Sequence, residues 1–191
     1  KFLISGFTQK PSLVGKTIQQ IAQSRGCDPF EAIFDMLIEG KAMASVVVED
    51  MREEDVELVL QSPLSMIGSD GYSISTRGLL GKGKPHPRSF GTFPRVLGRY
   101  VRQRHVLTLE SAIRKMTAFP ANKLGLRDRG LLRNGMKADI VIFDASRIAD
   151  TATYMKPQSF PVGIEYVIVN GKVTIAKGKY LGRLNGRVLK H

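Results

Sequence analysis

Ala44-Ser45-Val46-Val47-Val48 and Leu64-Ser65-Met66-Ile67-Gly68-Ser69-Asp70-Gly71 decide the fold class of this chain, together with the helix-forming run 52–61 between them. The first stretch is a continuous β-branched run, the pattern of a strand buried on both faces. Pro63 stops the helix that follows, and the second apolar stretch ends in turn residues. Strand, helix, strand predicts parallel pairing with helices packed outside. Upstream, Asp28-Pro29-Phe30-Glu31 is a helix start, with Asp as N-cap, Pro at the first position and Glu three residues on. Phe30, Ile33, Phe34, Leu37 and Ile38 follow at helical spacing, and Gly40 closes the segment. A weaker helix precedes it, with Val14, Ile18, Ile21 and Ala22 on one side. Downstream, a long loop rich in Gly, Ser and Lys leads to helices predicted over 93–104 and 108–119, the second capped by Thr108. Val96, Leu97, Tyr100 and Val101 form the inward face of the first. The texture changes near Leu124, where glycines punctuate a turn-rich stretch. Asp139-Ile140-Val141-Ile142-Phe143-Asp144 then reads as a strand, and Asn170-Gly171 between two β-rich runs reads as a hairpin. The chain is an α/β segment followed by a small β segment.

Its 191 residues suffice for a sizeable core, since a chain of this length hides roughly 70% of its unfolded surface. With 42% hydrophobic and 24% charged residues, disorder and collagen-like fibres are excluded. No apolar run reaches the roughly 18 residues that span a bilayer, so no membrane partner is expected. A single cysteine, Cys27, forms no internal disulfide, reads as structural, and fits a reducing, cytoplasmic location. His86, His105 and His191 are far apart in sequence, so the spacing of a zinc site within one segment is missing. The chain begins at Lys1 directly in strand-like material, Phe2-Leu3-Ile4-Ser5, which points to a piece of a longer protein.

The charge is strongly positive, 29 Lys and Arg against 17 Asp and Glu, net +12. No acidic residue lies between Asp70 and Glu110, where Arg77, Lys82, Lys84, Arg88, Arg95, Arg99, Arg102 and Arg104 all occur. After Glu165 the chain is again purely basic, through Lys172, Lys177, Lys179, Arg183, Arg187 and Lys190. Such a field draws anions, either nucleic acid or a small carboxylate. A solvated face, or one neutralised by acidic residues elsewhere in a longer protein, explains the same runs more simply.

Four residues are candidates for chemistry. Asp70 places a carboxylate just past the end of an apolar strand, where barrel enzymes keep catalytic groups. Ser69-Asp70-Gly71 is equally good turn chemistry. Arg88 offers a planar, permanently charged fork suited to a carboxylate. His86 titrates near neutrality or donates a hydrogen bond. Pro85-His86-Pro87-Arg88 also fits a plain stiffened surface loop. Met51 lies beyond the 46–48 strand at the same end of the sheet as Asp70, suited to line a pocket or to pack in a core.

Ile67-Gly68-Ser69-Asp70-Gly71 and the block from His86-Pro87-Arg88-Ser89-Phe90-Gly91 through Thr92-Phe93-Pro94-Arg95-Val96-Leu97-Gly98-Arg99-Tyr100-Val101 resemble the D-aminoacylases, N-acyl-D-amino-acid deacylases of the amidohydrolase superfamily. Arg114-Lys115-Met116-Thr117, Leu124-Gly125-Leu126-Arg127-Asp128-Arg129-Gly130, Ala138-Asp139-Ile140-Val141 and Val167-Ile168-Val169-Asn170-Gly171 continue the resemblance over nearly the whole chain. The Asp139 and Asn170 motifs are widespread among amidohydrolases; the block from His86 to Val101 is particular to this branch. The resemblance implies the C-terminal portion of a (β/α)8 TIM-like barrel in 1–123, followed by a small β-sandwich segment in 124–191. It implies Asp70 as the catalytic aspartate at the end of the eighth strand, and as a possible ligand of a second metal. Arg88 is then the grip on the substrate carboxylate, with His86 beside it and Met51 in the side-chain pocket. The loop 71–85 is longer than the family's usual one.

On this resemblance the cofactor is zinc, held mostly by residues outside this chain. The partners are an N-acyl amino acid and the N-terminal part of the same protein, and the isolated chain is expected to be inactive. Two other readings remain: an amidohydrolase acting on cyclic amides, and a basic nucleic-acid-binding module. The second is disfavoured because the basic residues follow no helix-turn-helix or stacking-aromatic pattern and Trp is absent.

Overall fold

The computed structural model describes residues 2–48 and 50–189; Lys1, Glu49, Lys190 and His191, including the basic and histidine positions at the C-terminus, lie outside the described residues. The chain divides into two compact units that interleave in sequence. The first comprises Lys1–Arg52, Gly71–Phe90 and Ala152–Ser159; the second comprises Glu53–Asp70, Gly91–Thr151 and Phe160–His191.

The first unit opens with strand β1 (Phe2–Phe7), followed by helices α1 (Ile18–Arg25) and α2 (Pro29–Glu39) and strand β2 (Ala44–Val48). Both helices start on full capping boxes. The Thr17 side chain accepts from the Gln20 N–H at 3.2 Å while Gln20 accepts from the Thr17 N–H at 2.9 Å. Asp28 and Glu31 form the same reciprocal pair around Pro29. Ile4 and Phe7 alternate inward from β1 and meet Leu13, Ile18, Ile21, Ala22, Ala32 and Met36 in one core. Gly40 is required there, because a Cβ at that position would lie 2.3 Å from the Phe7 ring.

Two expectations change in this unit. β2 forms where the β-branched run predicts a strand, but it pairs antiparallel with β1, Leu3 facing Val47 and Phe7 facing Ala44. The notion of a strand covered on both faces fails as well, since Val46 and Val48 are exposed. On α2 the buried positions are Ala32 and Met36, whereas Phe30, Phe34, Leu37 and Ile38 point to the surface. The helix carries apolar residues on two faces, and periodicity alone does not say which one a neighbour covers.

The second unit holds α3 (Glu53–Gln61), α4 (Arg88–Arg95, most of which lies here), α5 (Leu109–Met116), α6 (Ala118–Lys123) and a four-stranded antiparallel sheet. Its strands are β3 (Ile140–Phe143), β4 (Ile164–Val169), β5 (Lys172–Ala176) and β6 (Lys179–Tyr180), adjacent in chain order. The stretch 64–69, expected as a second parallel strand, has no ladder partner among the described residues and runs as irregular chain. A strand is defined by the neighbour it bonds, and here the Ile67 N–H donates instead to the Lys115 carbonyl, 3.1 Å away.

Past α4 the helix continues as a π-helical segment, Val96–Gln103. Pro94 lies in the last turn of α4, where it removes a helix donor just before the wider turns begin. Val96, Leu97 and Tyr100 are buried as the sequence predicts, against Leu107, Ala112 and Ile148. Gly98 faces the 148–149 backbone so closely that a Cβ would sit 2.6 Å from the Ile148 carbonyl oxygen. Arg102 donates to the Ala145 and Ile148 carbonyls at 2.9 and 2.7 Å, and Arg95 pairs with Asp150 at 3.0 Å. The predicted helix 108–119 is capped by Thr108, which accepts from the Ser111 N–H at 3.1 Å, but it breaks at Thr117 into α5 and α6.

The Asn170-Gly171 hairpin forms as predicted, both residues at positive φ, 50° and 76°. Its side chains are tied down. The Asn170 N–H donates to Asp139 Oδ1 at 2.7 Å, its Oδ1 accepts from Arg129 Nη2 at 3.0 Å, and its Nδ2 donates to the Asn185 carbonyl at 2.7 Å. The Gly171 N–H donates to the Ala138 carbonyl at 2.9 Å, and Arg129 also pairs with Asp139. The Asp139 and Asn170 motifs thus meet and lock β3 to the β4–β5 turn.

Candidate functional site

A cleft of about 750 Å³ opens in the first unit, within the size range of small-molecule sites. Three of the four candidate residues line it: Met51, His86 and Arg88. Met51 sits just past β2 and is 75% exposed, so it belongs to the cleft wall and not to a core. Val46, Val47 and Val48 add apolar wall, and Tyr72, Tyr154, Lys82 and Lys84 add polar groups. Among the described lining residues the cations are Lys82, Lys84 and Arg88 and the acid is Asp50. That balance favours an anionic guest.

The loop 72–87 keeps these groups in place despite its glycines. The Lys84 N–H donates to the Ser5 carbonyl at 3.0 Å, and Gln158 Nε2 donates to the Gly81 and Gly83 carbonyls at 2.5 and 3.4 Å. The Ser89 hydroxyl accepts from the Tyr72 N–H at 3.3 Å. His86, between two prolines with restricted φ, is held at both ring nitrogens. Nδ1 accepts from the Arg88 N–H at 3.1 Å and Nε2 lies 3.2 Å from the Tyr154 hydroxyl, with the two rings edge to face. A backbone donor at Nδ1 places the proton of the neutral imidazole on Nε2, from which it donates to Tyr154. Arg88 is the first residue of α4.

Asp70 belongs to the second unit. It is exposed and takes the left-handed conformation, φ 48°, one of the few non-glycine residues here to do so. Asp tolerates that region better than most residues. The segment leading to it is anchored by Lys115, whose buried ammonium donates to the Ser62 carbonyl, the Ser65 carbonyl at 3.0 Å and the Ser65 hydroxyl at 2.9 Å. Burial pushes the Lys115 pKa down, and the neighbouring Arg114 charge acts in the same direction.

Sequence reasoning missed Tyr154 and Lys115. Tyr154 lies 68 residues from His86 in irregular chain, where no periodicity marks it. Lys115 sits inside Arg114-Lys115-Met116, a basic pair that reads as solvated surface. Among the described residues no group of three or more His, Cys, Asp or Glu is placed to hold a metal ion, and no helix is long and apolar enough to cross a membrane.

Comparison with known proteins points one way. Residues 7–175 match the model of the amidohydrolase family. An N-acyl-D-glutamate deacylase of Alcaligenes xylosoxydans xylosoxydans is 42% identical over 168 residues, 88% of this chain and 32% of that protein. A D-aminoacylase of the same organism is 38% identical over 179 residues, 94% of this chain and 34% of the relative. The crystal structure of the N-acyl-D-glutamate deacylase of Bordetella bronchiseptica, complexed with zinc and a phosphonate mimic of the tetrahedral intermediate, superposes with a TM-score of 0.78 at 39% identity. That match covers 91% of this chain and 34% of the other. A D-aminoacylase structure described by its binuclear metal centre gives a TM-score of 0.85 at 37% identity, covering all of this chain and 38% of that one. The chain spans about a third of the length of these relatives. With a family match running through both compact units, from the last residue of β1 into β5, this α/β chain belongs to the amidohydrolase family.

Proposed function

We propose that this chain is the C-terminal part of a zinc-dependent hydrolase that cleaves the amide bond of N-acyl-D-amino acids, releasing a carboxylate and the free D-amino acid. In this reading 1–123 complete a (β/α)8 barrel and 124–191 contribute to a β-sandwich. The carrying observation is the cleft that gathers Arg88, Lys82, Lys84, His86 and Met51 on one wall system. An N-acyl amino acid offers a carboxylate for the cations and a side chain for the apolar wall. The Arg88 fork binds that carboxylate through two parallel hydrogen bonds and orients the scissile amide. His86 braces Tyr154 at the same wall, and Met51 adapts to the substrate side chain.

Asp70 takes the proton from the attacking water at its carboxylate oxygen and returns it to the departing amine nitrogen. Among the described residues no group of three or more His, Cys, Asp or Glu is placed to hold a metal ion, so these residues do not by themselves fit zinc, and in this reading the metal is held mostly by residues outside this chain. Asp70 is the candidate in this chain to join them as a ligand of a second metal.

The test is an assay of the whole protein carrying this sequence, loaded with zinc, on matched N-acetyl-D- and L-amino acids, their carboxamides and a cyclic amide. Cleavage of the D-acids over the L-acids and the carboxamides is expected. Equal turnover of cyclic amides, or none of the D-acids, overturns the reading.

A further inference from the structure

We propose that Lys115 is the positioning residue for Asp70: its buried ammonium grips the turn 62–65 and thereby fixes the segment that presents the Asp70 carboxylate. The inference rests on the catalytic reading of Asp70 given above, and all the groups involved belong to the second compact unit.

Lys115 is only 3% exposed, the one charged side chain buried to that degree among the described residues. Burying a charge is costly unless every donor is met. An ammonium has three donors, and Lys115 Nζ donates to three acceptors: the Ser62 carbonyl, the Ser65 carbonyl and the Ser65 hydroxyl. None is a carboxylate. All three come from a single four-residue turn, just past the C-terminus of α3. The turn is closed on itself as well, with the Ser65 hydroxyl donating to the Ser62 carbonyl at 3.0 Å and the Leu64 N–H donating to the Ser62 hydroxyl at 3.3 Å.

Main-chain geometry extends the grip. The carbonyl of Lys115 itself accepts from the Ile67 N–H at 3.1 Å. One residue of α5 therefore holds the chain at 62–65 through its side chain and at 67 through its backbone. Asp70 follows three residues later, about 10 Å of extended chain at most. Packing alone does not require this arrangement, because a methionine fills the same space without a charge to satisfy. What the ammonium adds is direction: three bonds to one turn set its orientation as well as its place. A carboxylate that must meet water and then an amine is sensitive to such orientation, and a displacement of about 1 Å costs on the order of 10²-fold in rate.

The test uses the whole zinc-loaded protein. Lys115→Met should lower kcat by about 10- to 100-fold with KM changed by less than about twofold. Amide hydrogen exchange in the peptide covering 66–70 should quicken in the same variant. Lys115→Ala should regain kcat with added propylammonium and not with propanol. Should Lys115→Met fail to fold, Ser65→Ala removes one acceptor from the opposite side and should lower kcat by about threefold at unchanged KM. An unchanged kcat in the folded variants overturns the proposal, as does equal rescue by propanol, which marks a packing role. A wild-type protein that cleaves no N-acyl-D-amino acid overturns the functional reading instead. Unaltered exchange at 66–70 overturns the anchor whatever the substrate.

Discussion

At the scale of single residues, the backbone of Asp70 makes one substitution unusually informative. Asn shares the tolerance of Asp for the left-handed region, so Asp70→Asn keeps φ near 48° and the side-chain size while removing the proton acceptor that the proposed function assigns to this residue. In the whole enzyme it should lower kcat by at least about 10²-fold with little change in KM; steady-state kinetics that return near-full kcat make Asp70 a turn residue. Arg88→Lys keeps the charge and loses the fork. Its expected signature is the opposite one, a raised KM and a smaller preference for free acids over the matching carboxamides. The sequence names four candidate side chains, of which Met51, His86 and Arg88 line one cleft while Asp70 belongs to the other compact unit. Tyr154, which holds His86 from a distant part of the chain, and Lys115, which hides among surface-like neighbours, are tertiary facts with no local signature.

At the scale of elements, the sequence predicts helix starts far better than strand partners. Asp28, Thr108 and the Asn170-Gly171 turn act through bonds a few residues away, so their chemistry is complete in the local sequence. The strand at Ala44–Val48 is visible from its β-branched residues, but its antiparallel partner β1 lies some 40 residues upstream, and composition carries no record of direction. The stretch 64–69 shows the converse, strand-like residues without a ladder. Pro94 could be placed in a helix, yet the π-helical turns behind it depend on how Gly98 and Arg102 meet the 145–149 backbone. Gly98→Ala tests that packing. A Cβ forced to within 2.6 Å of the Ile148 oxygen should destabilise the fold by about 1–3 kcal/mol, seen as a lower urea midpoint at unchanged slope; a midpoint equal to wild type removes the close approach from the account.

At the scale of the whole molecule, two properties bear on how the chain behaves by itself. Its net charge of +12 resists nonspecific association, while Phe30 and Ile38, 72% and 77% exposed on α2, promote it. Exposed apolar surface of this kind should bind a hydrophobic dye, and sedimentation should show self-association at low positive-charge repulsion, that is, at high salt. A monodisperse monomer that binds no dye counts against this. Because no metal-ligand cluster exists among the described residues, the isolated, tag-free chain should retain less than stoichiometric zinc after dialysis and show no deacylase activity. Stoichiometric zinc with measurable turnover reverses that expectation.

The Asn170-Gly171 turn carries a consequence for the lifetime of the protein. Asn-Gly is the dipeptide most prone to spontaneous deamidation, in which the glycine nitrogen attacks the asparagine side-chain carbonyl, ammonia leaves with the side-chain nitrogen, and the cyclic imide that forms hydrolyses to aspartate or isoaspartate. Here that nitrogen is committed to the Ala138 carbonyl, and the amide it would attack is held by Arg129 and Asn185. The native sheet therefore protects this Asn-Gly peptide, one of three in the sequence, and ageing at this turn proceeds through molecules in which the sheet has opened. Isoaspartate at residue 170 becomes a cumulative record of unfolding, written into the covalent structure each time the lock fails.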